Sequence, residues 1–154
     1  MGFNKRGPAP EASNATMPWP ESDESGDLDR APVRLLVVED DPIQQKAYRA
    51  VGARYGFHVT VLARAADVLR VVHQQRPEAI ILDLRVEDGD TLRVLTSLRR
   101  SPETAGIPVT IISAFLMPEL IDHLRDFQKV RHLAKPWTVD ELLGVVEEMT
   151  GVRP

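Results

Sequence analysis

Polar side chains able to do chemistry stand directly after short apolar runs in this sequence. Glu39, Asp40 and Asp41 follow "RLLVV", Asp83 follows "AIIL", Ser113 follows "VTII" and Lys135 follows "VRHLA". Carboxylates crowded into one cleft repel each other unless a cation joins them, and an all-oxygen set suits Mg²⁺. A carboxylate can also act as a nucleophile and form an acyl phosphate. The incoming phosphoryl group is anionic. A metal must screen it, while an ammonium and a hydroxyl hold its other oxygens. The chain supplies each of these parts.

The elements that must bring these groups together follow from the period of the apolar residues. Runs at Arg34–Val38, Phe57–Leu62, Ala79–Leu84, Val109–Ile112 and Val130–Ala134 read as strands. Between them lie segments with helical spacing. Ile43, Ala47, Ala50 and Val51 are predicted to share a face, as are Ala65, Val68, Leu69 and Val72. The same holds for Leu92, Leu95 and Leu98, for Leu120, Ile121, Leu124 and Phe127, and for Val139, Leu142, Leu143, Val146 and Met149. Strands alternating with helices require parallel crossovers, so the predicted fold is α/β: a doubly wound five-stranded parallel sheet with five helices on its two faces. Strands 1, 3 and 4 are the most uniformly apolar and should be central. In such a sheet, sites form beyond the carboxyl ends of the strands. Carboxylates, hydroxyl and ammonium therefore converge on one edge.

Several residues have a plainer reading. Asp41 is an N-cap, with Pro42 at the first helical position. Asp88 and Asp90 read as loop solvation and a cap for the third helix. His58, His73 and His123 lack metal-ligand spacing and belong at the surface or an edge. Trp137 should pack at the start of the fifth helix.

Composition bounds the function. The chain has 154 residues, enough for one ordinary domain. Its formal net charge of −4 argues against direct DNA binding, which wants a basic face. With no cysteine, disulfides, thiolate metal sites and cysteine nucleophiles are excluded. Residues 1–31 are rich in proline, serine, glycine and acids without an apolar period, and read as a disordered tail before a domain at 32–151. No segment has the length of a membrane span or the form of a secretion signal, so the expected location is cytoplasmic, with no membrane partner.

The motifs "VVEDDP", "AIILDLRVEDGD", "IPVTIISA" and "LAKPW", in this order and at these separations, resemble the receiver domains of bacterial two-component response regulators. The resemblance runs from about Val33 to Met149. It implies a flavodoxin-like three-layer sandwich and a stand-alone signalling module without an output domain. Asp83 would accept a phosphoryl group from a sensor histidine kinase or phosphotransfer protein. Asp40 would bind Mg²⁺ directly, Glu39 through water, Asp83 by its carboxylate and Arg85 by its main-chain carbonyl. Ser113 would be the switch hydroxyl, Lys135 the phosphoryl-binding lysine, and Lys135-Pro136 a cis peptide.

The helix 4, strand 5 and helix 5 surface would then change its binding of a downstream protein, the chain being a monomer or a phosphorylation-dependent dimer. Such a module is no enzyme beyond assisting its own aspartyl phosphorylation and dephosphorylation. The sequence departs from the family pattern at Glu87, where a proline is usual, at Thr91, where a glycine is common, and at His132, which stands at the place of the switching aromatic. The glycine common before strand 5 is also absent from "DFQKVRHL". Two rival readings are a pseudo-receiver that binds proteins without phosphate and a Mg²⁺-dependent enzyme on a related sheet.

Overall fold

The computed structural model describes residues 30–86, 90–115 and 117–153. The expected tail lies outside these residues except for Arg30 and Ala31, and Glu87, Asp88 and Gly89 lie outside them too. Strands form where β-branched residues and leucine run together without a helical period. They are β1 (Arg34–Val38), β2 (His58–Leu62), β3 (Ala79–Asp83), β4 (Val109–Ser113) and β5 (Val130–Ala134). The helices between and after them are α1 (Pro42–Tyr55), α2 (Val68–Gln75), α3 (Thr91–Arg100), α4 (Pro118–Arg125) and α5 (Val139–Thr150). No helix among the described residues is long and apolar enough to cross a membrane.

The strands make one parallel sheet in the order β2-β1-β3-β4-β5. β1, β3 and β4 are central, as their apolar runs predict. Every residue of β3 and β4 is buried, whereas no residue of the edge strands β2 and β5 is. Central parallel strands are covered on both faces, which is why they tolerate almost nothing polar. On one face Leu36, Val38, Ile80, Leu82 and Ile111 pack with Val68, Val71 and Val72 of α2, Leu95 and Leu98 of α3, and Leu124 of α4. On the other, Val37, Ile81 and Ile112 meet Tyr48 of α1 and Leu142 of α5, while Leu35 and Ala79 meet Val146. The three layers and the doubly wound topology are those expected from the sequence.

Capping fixes where the helices start. Asp41 Oδ1 accepts the Ile43 N–H at 2.8 Å and precedes Pro42. Asp90 Oδ1 accepts from the N–H groups of Leu92 and Arg93. Thr138 and Glu141 form a reciprocal capping box at α5.

The buried face of α1 differs from the predicted one. Ile43 is 79% exposed and Ala50 is exposed, while Tyr48 and Gly52 are buried. The Tyr48 ring stacks obliquely on Trp137, with centroids 5.0 Å apart. Gly52 lets α1 press onto β2, since a Cβ there would lie 2.4 Å from Val59 Cγ2. An aromatic ring and a close approach set the rotation of this helix, outweighing a stripe of which half is alanine. In α2, Val71 is buried and Leu69 is 36% exposed, so the buried face is centred on Val68, Val71 and Val72.

Gly52→Ala tests this packing. Helix propensity alone favours alanine over glycine by about 1 kcal/mol. Overpacking against Val59 costs about 1–3 kcal/mol. The variant should therefore melt below the wild type in thermal denaturation, and a higher melting temperature would refute the close contact.

Candidate functional site

The strand order brings the predicted residues to one edge. β1 and β3 are neighbours that run parallel, so Glu39, just after β1, lies near Asp83, the last residue of β3. Asp83 pairs with Ile112 of β4, and Ser113 is the next residue along. Ser113 pairs with Ala134 of β5, and the Lys135 N–H donates to the Ser113 carbonyl at 2.9 Å.

Glu39 and Asp83 are 1% and 5% exposed, an unusual depth for acids. Their common partner is Lys135. Its ammonium donates to Asp83 Oδ2 at 2.6 Å and to Glu39 Oε2 at 3.0 Å. The other oxygens are held by the main chain. Glu39 Oε1 accepts from the Asp41 N–H at 3.0 Å and Asp83 Oδ1 from the Arg85 N–H at 2.8 Å. The Gln45 side chain donates to the Glu39 carbonyl at 2.6 Å and ties α1 to the site. Asp40 completes the group: Glu39, Asp40 and Asp83 each offer an oxygen, all within 4.8 Å of one another.

The electrostatics follow from one ammonium serving two carboxylates. Burial pushes the Glu39 carboxyl above its ordinary pKa. The Asp41 N–H and Lys135 oppose that rise, while the charge on Asp83 adds to it. Burial alone would lower the Lys135 pKa, but the hydrogen bonds to Asp83 and Glu39 outweigh it and hold the ammonium more firmly protonated. The cation thus has two anionic partners, and Glu39 and Asp83 share it.

The Lys135 side chain is set in place by the loop between β5 and α5. The Lys135-Pro136 bond is cis, and Trp137 packs on Tyr48 of α1 with Val37, Ile81 and Leu142 around them. Trp137 therefore anchors the β5–α5 loop on α1, a longer reach than packing at the start of α5. A pocket of about 440 Å³ opens beside Lys135, lined by Gln44, Ala47, Ala114, Pro136 and Trp137.

The remaining predicted residues are spread around this centre. Ser113 is 2% exposed, and its hydroxyl accepts from the Phe115 N–H at 3.1 Å and donates to the Phe115 carbonyl at 3.0 Å. The Arg85 guanidinium turns outward over the exposed Phe115 ring, 5.4 Å from its centroid. His132 is exposed on β5 beside Ile111. Thr91 was legible in the sequence only as a departure from a motif. It is buried, and its hydroxyl donates to the Asp83 carbonyl at 2.9 Å.

Residues 35–147 match the response regulator receiver domain family. Among curated relatives, the polar-differentiation response regulator DivK of Brucella anthropi is 22% identical over 78% of this chain and 98% of its own. Sporulation initiation phosphotransferase F of Bacillus subtilis is 24% identical over 75% of this chain and 91% of its own. Among solved structures, the receiver domain of a sensor histidine kinase from Pseudomonas aeruginosa superposes with a TM-score of 0.71. It is 24% identical, covers 79% of this chain and 100% of that one, and was solved with a magnesium ion coordinated in its active-site cleft. By the family match and the fold, this chain belongs to the response regulator receiver domains, the phosphoacceptor signalling modules of two-component phosphorelays.

Proposed function

We propose that Asp83 is the phosphoacceptor and takes its phosphoryl group from the phosphohistidine of a sensor histidine kinase or phosphotransfer protein. The observation that carries this reading is the Lys135 ammonium shared by two buried carboxylates at the carboxyl edge of the sheet, with Asp40 beside them. In the transfer, an Asp83 carboxylate oxygen forms the new O–P bond as the P–N bond of the donor breaks. The departing imidazole keeps the bonding pair and takes a proton from water. Lys135 then holds a phosphoryl oxygen where it now holds Asp83 Oδ2. The Ser113 hydroxyl, turned onto Phe115 before transfer, is the second donor at hand for the phosphoryl group. The complete set of acid cluster, hydroxyl and ammonium favours this reading over a phosphate-independent binding module. The chain assists its own aspartyl phosphorylation and dephosphorylation and is otherwise a signalling protein. Phosphohistidine donors are made with ATP, which puts the chain in the cytoplasm.

The donor set fits Mg²⁺. Its atoms are all oxygens, they converge within 4.8 Å, and the two most deeply buried acids, Glu39 and Asp83, share one ammonium. Asp40 and Asp83 would hold the ion by carboxylate, Arg85 by its main-chain carbonyl and Glu39 through water. When bound, Mg²⁺ supplies the charge that lets an anionic phosphoryl group approach a carboxylate.

Intact mass after incubation with acetyl phosphate and Mg²⁺ tests the acceptor. The full chain should gain one labile phosphoryl group, and Asp83→Asn should gain none at the wild-type rate. Labelling of Asp83→Asn as fast as the wild type would remove Asp83 from the role. We assign the receiver unit to residues 32–151 and give residues 1–31 no part in the chemistry, so a chain beginning at Ala31 should label like the full one. Slower labelling would show that the tail contributes.

For output we propose the surface of α4, β5 and α5, with Ser113 and His132 as switch residues. His132 stands there exposed, and an imidazole buries less area than a phenol when its side chain turns inward. Phosphorylation should therefore couple weakly to this face. Beryllofluoride-induced amide shifts along β5, followed by NMR, should be larger in His132→Tyr than in the wild type. Equal shifts in the two proteins would count against His132.

A further inference from the structure

The main chain at the end of β3 is gripped from both sides. The Leu84 N–H donates to the Ile112 carbonyl at 2.9 Å. The Asp83 carbonyl accepts the Thr91 hydroxyl at 2.9 Å. These two groups belong to one planar peptide unit, so the two bonds together fix how that plane is turned. The next N–H along the chain, that of Arg85, donates to Asp83 Oδ1 at 2.8 Å. The orientation of the acceptor carboxylate is thereby linked to the plane that Thr91 holds.

Thr91 is well placed to hold it. It is the first residue of α3, immediately after the Asp90 cap, and only 3% exposed. A β-branched side chain has few rotamers open to it, and a buried hydroxyl requires a partner. Here the partner is the carbonyl of the acceptor itself.

We infer that Thr91 is a positioning residue for phosphoryl transfer: its buried hydroxyl fixes the Asp83–Leu84 peptide and, through the Arg85 N–H, the direction in which the Asp83 carboxylate faces the phosphorus. The inference rests on Asp83 being the acceptor. Without the hydroxyl the peptide plane can turn, and a carboxylate that is out of line meets the phosphorus unproductively. In-line transfer is sensitive to such displacement.

The test is the rate of phosphorylation of the full chain by acetyl phosphate with Mg²⁺, measured over a range of donor concentrations. Thr91→Ser keeps the hydroxyl and should react within about twofold of the wild type. Thr91→Val keeps the shape without the hydroxyl. It should be slowed about tenfold at saturating donor, with the half-saturating donor concentration unchanged. Its Arg85 amide should also exchange faster with solvent. If Thr91→Val does not fold, Thr91→Ala against Thr91→Ser gives the same comparison. A wild-type rate in Thr91→Val, or a Thr91→Ser as slow as Thr91→Val, overturns the role. A wild type that takes no phosphoryl group on Asp83 overturns the acceptor assignment and this inference with it. A wild type labelled on Asp83 beside an unaffected Thr91→Val overturns this inference alone.

Discussion

One ammonium lies between two buried carboxylates, and much of the remaining structure exists to put it there. Ions removed from water lose far more solvation than a single contact returns. Glu39 and Asp83 tolerate burial because each has one oxygen on a main-chain N–H and the other on Lys135. Asp40 stands beside them and offers a third oxygen within 4.8 Å of theirs. Two buried carboxylates on one ammonium leave this pair with net negative charge, which suits a divalent ion. Sharing one ammonium between two buried carboxylates is what makes the site costly to fold.

The fold supplies the positions. Glu39, Asp83 and Ser113 stand at or just past the ends of central strands whose interiors admit only apolar side chains, apart from Thr110, whose hydroxyl is satisfied by Met149. Lys135 follows an edge strand, and its loop needs an anchor. Trp137 provides one by packing across to Tyr48 on α1. Gln45 of the same helix reaches the Glu39 carbonyl, so α1 braces the acid and the lysine sides of the site together.

The sheet was legible in the sequence because a central parallel strand leaves an unambiguous trace. A short run of Val, Ile and Leu ends abruptly at a polar residue, and in a doubly wound fold those polar residues share an edge. Glu39, Asp83 and Ser113 could be located in that way, and Lys135 by its place after the last strand, whose run VRHLA is weaker because it lies at the edge. The rotation of α1 could not. Its buried face is set by a ring that meets Trp137 and by a glycine that meets Val59, and neither contact has a local period. The Thr91 contact was hidden for a similar reason. A threonine after an aspartate at a helix start looks like cap chemistry, and nothing in the neighbouring residues tells that its hydroxyl turns back to the end of β3.

The shared ammonium can be tested by removing it alone. Lys135→Met keeps most of the length and the apolar stem of the side chain but leaves Glu39 and Asp83 without their common cation. In metal-free buffer at neutral pH the variant should lose at least about 2 kcal/mol of stability. Added Mg²⁺ should then raise its melting temperature by more than it raises that of the wild type. A metal-free Lys135→Met protein that melts with the wild type and is indifferent to Mg²⁺ would contradict a site built on one shared cation.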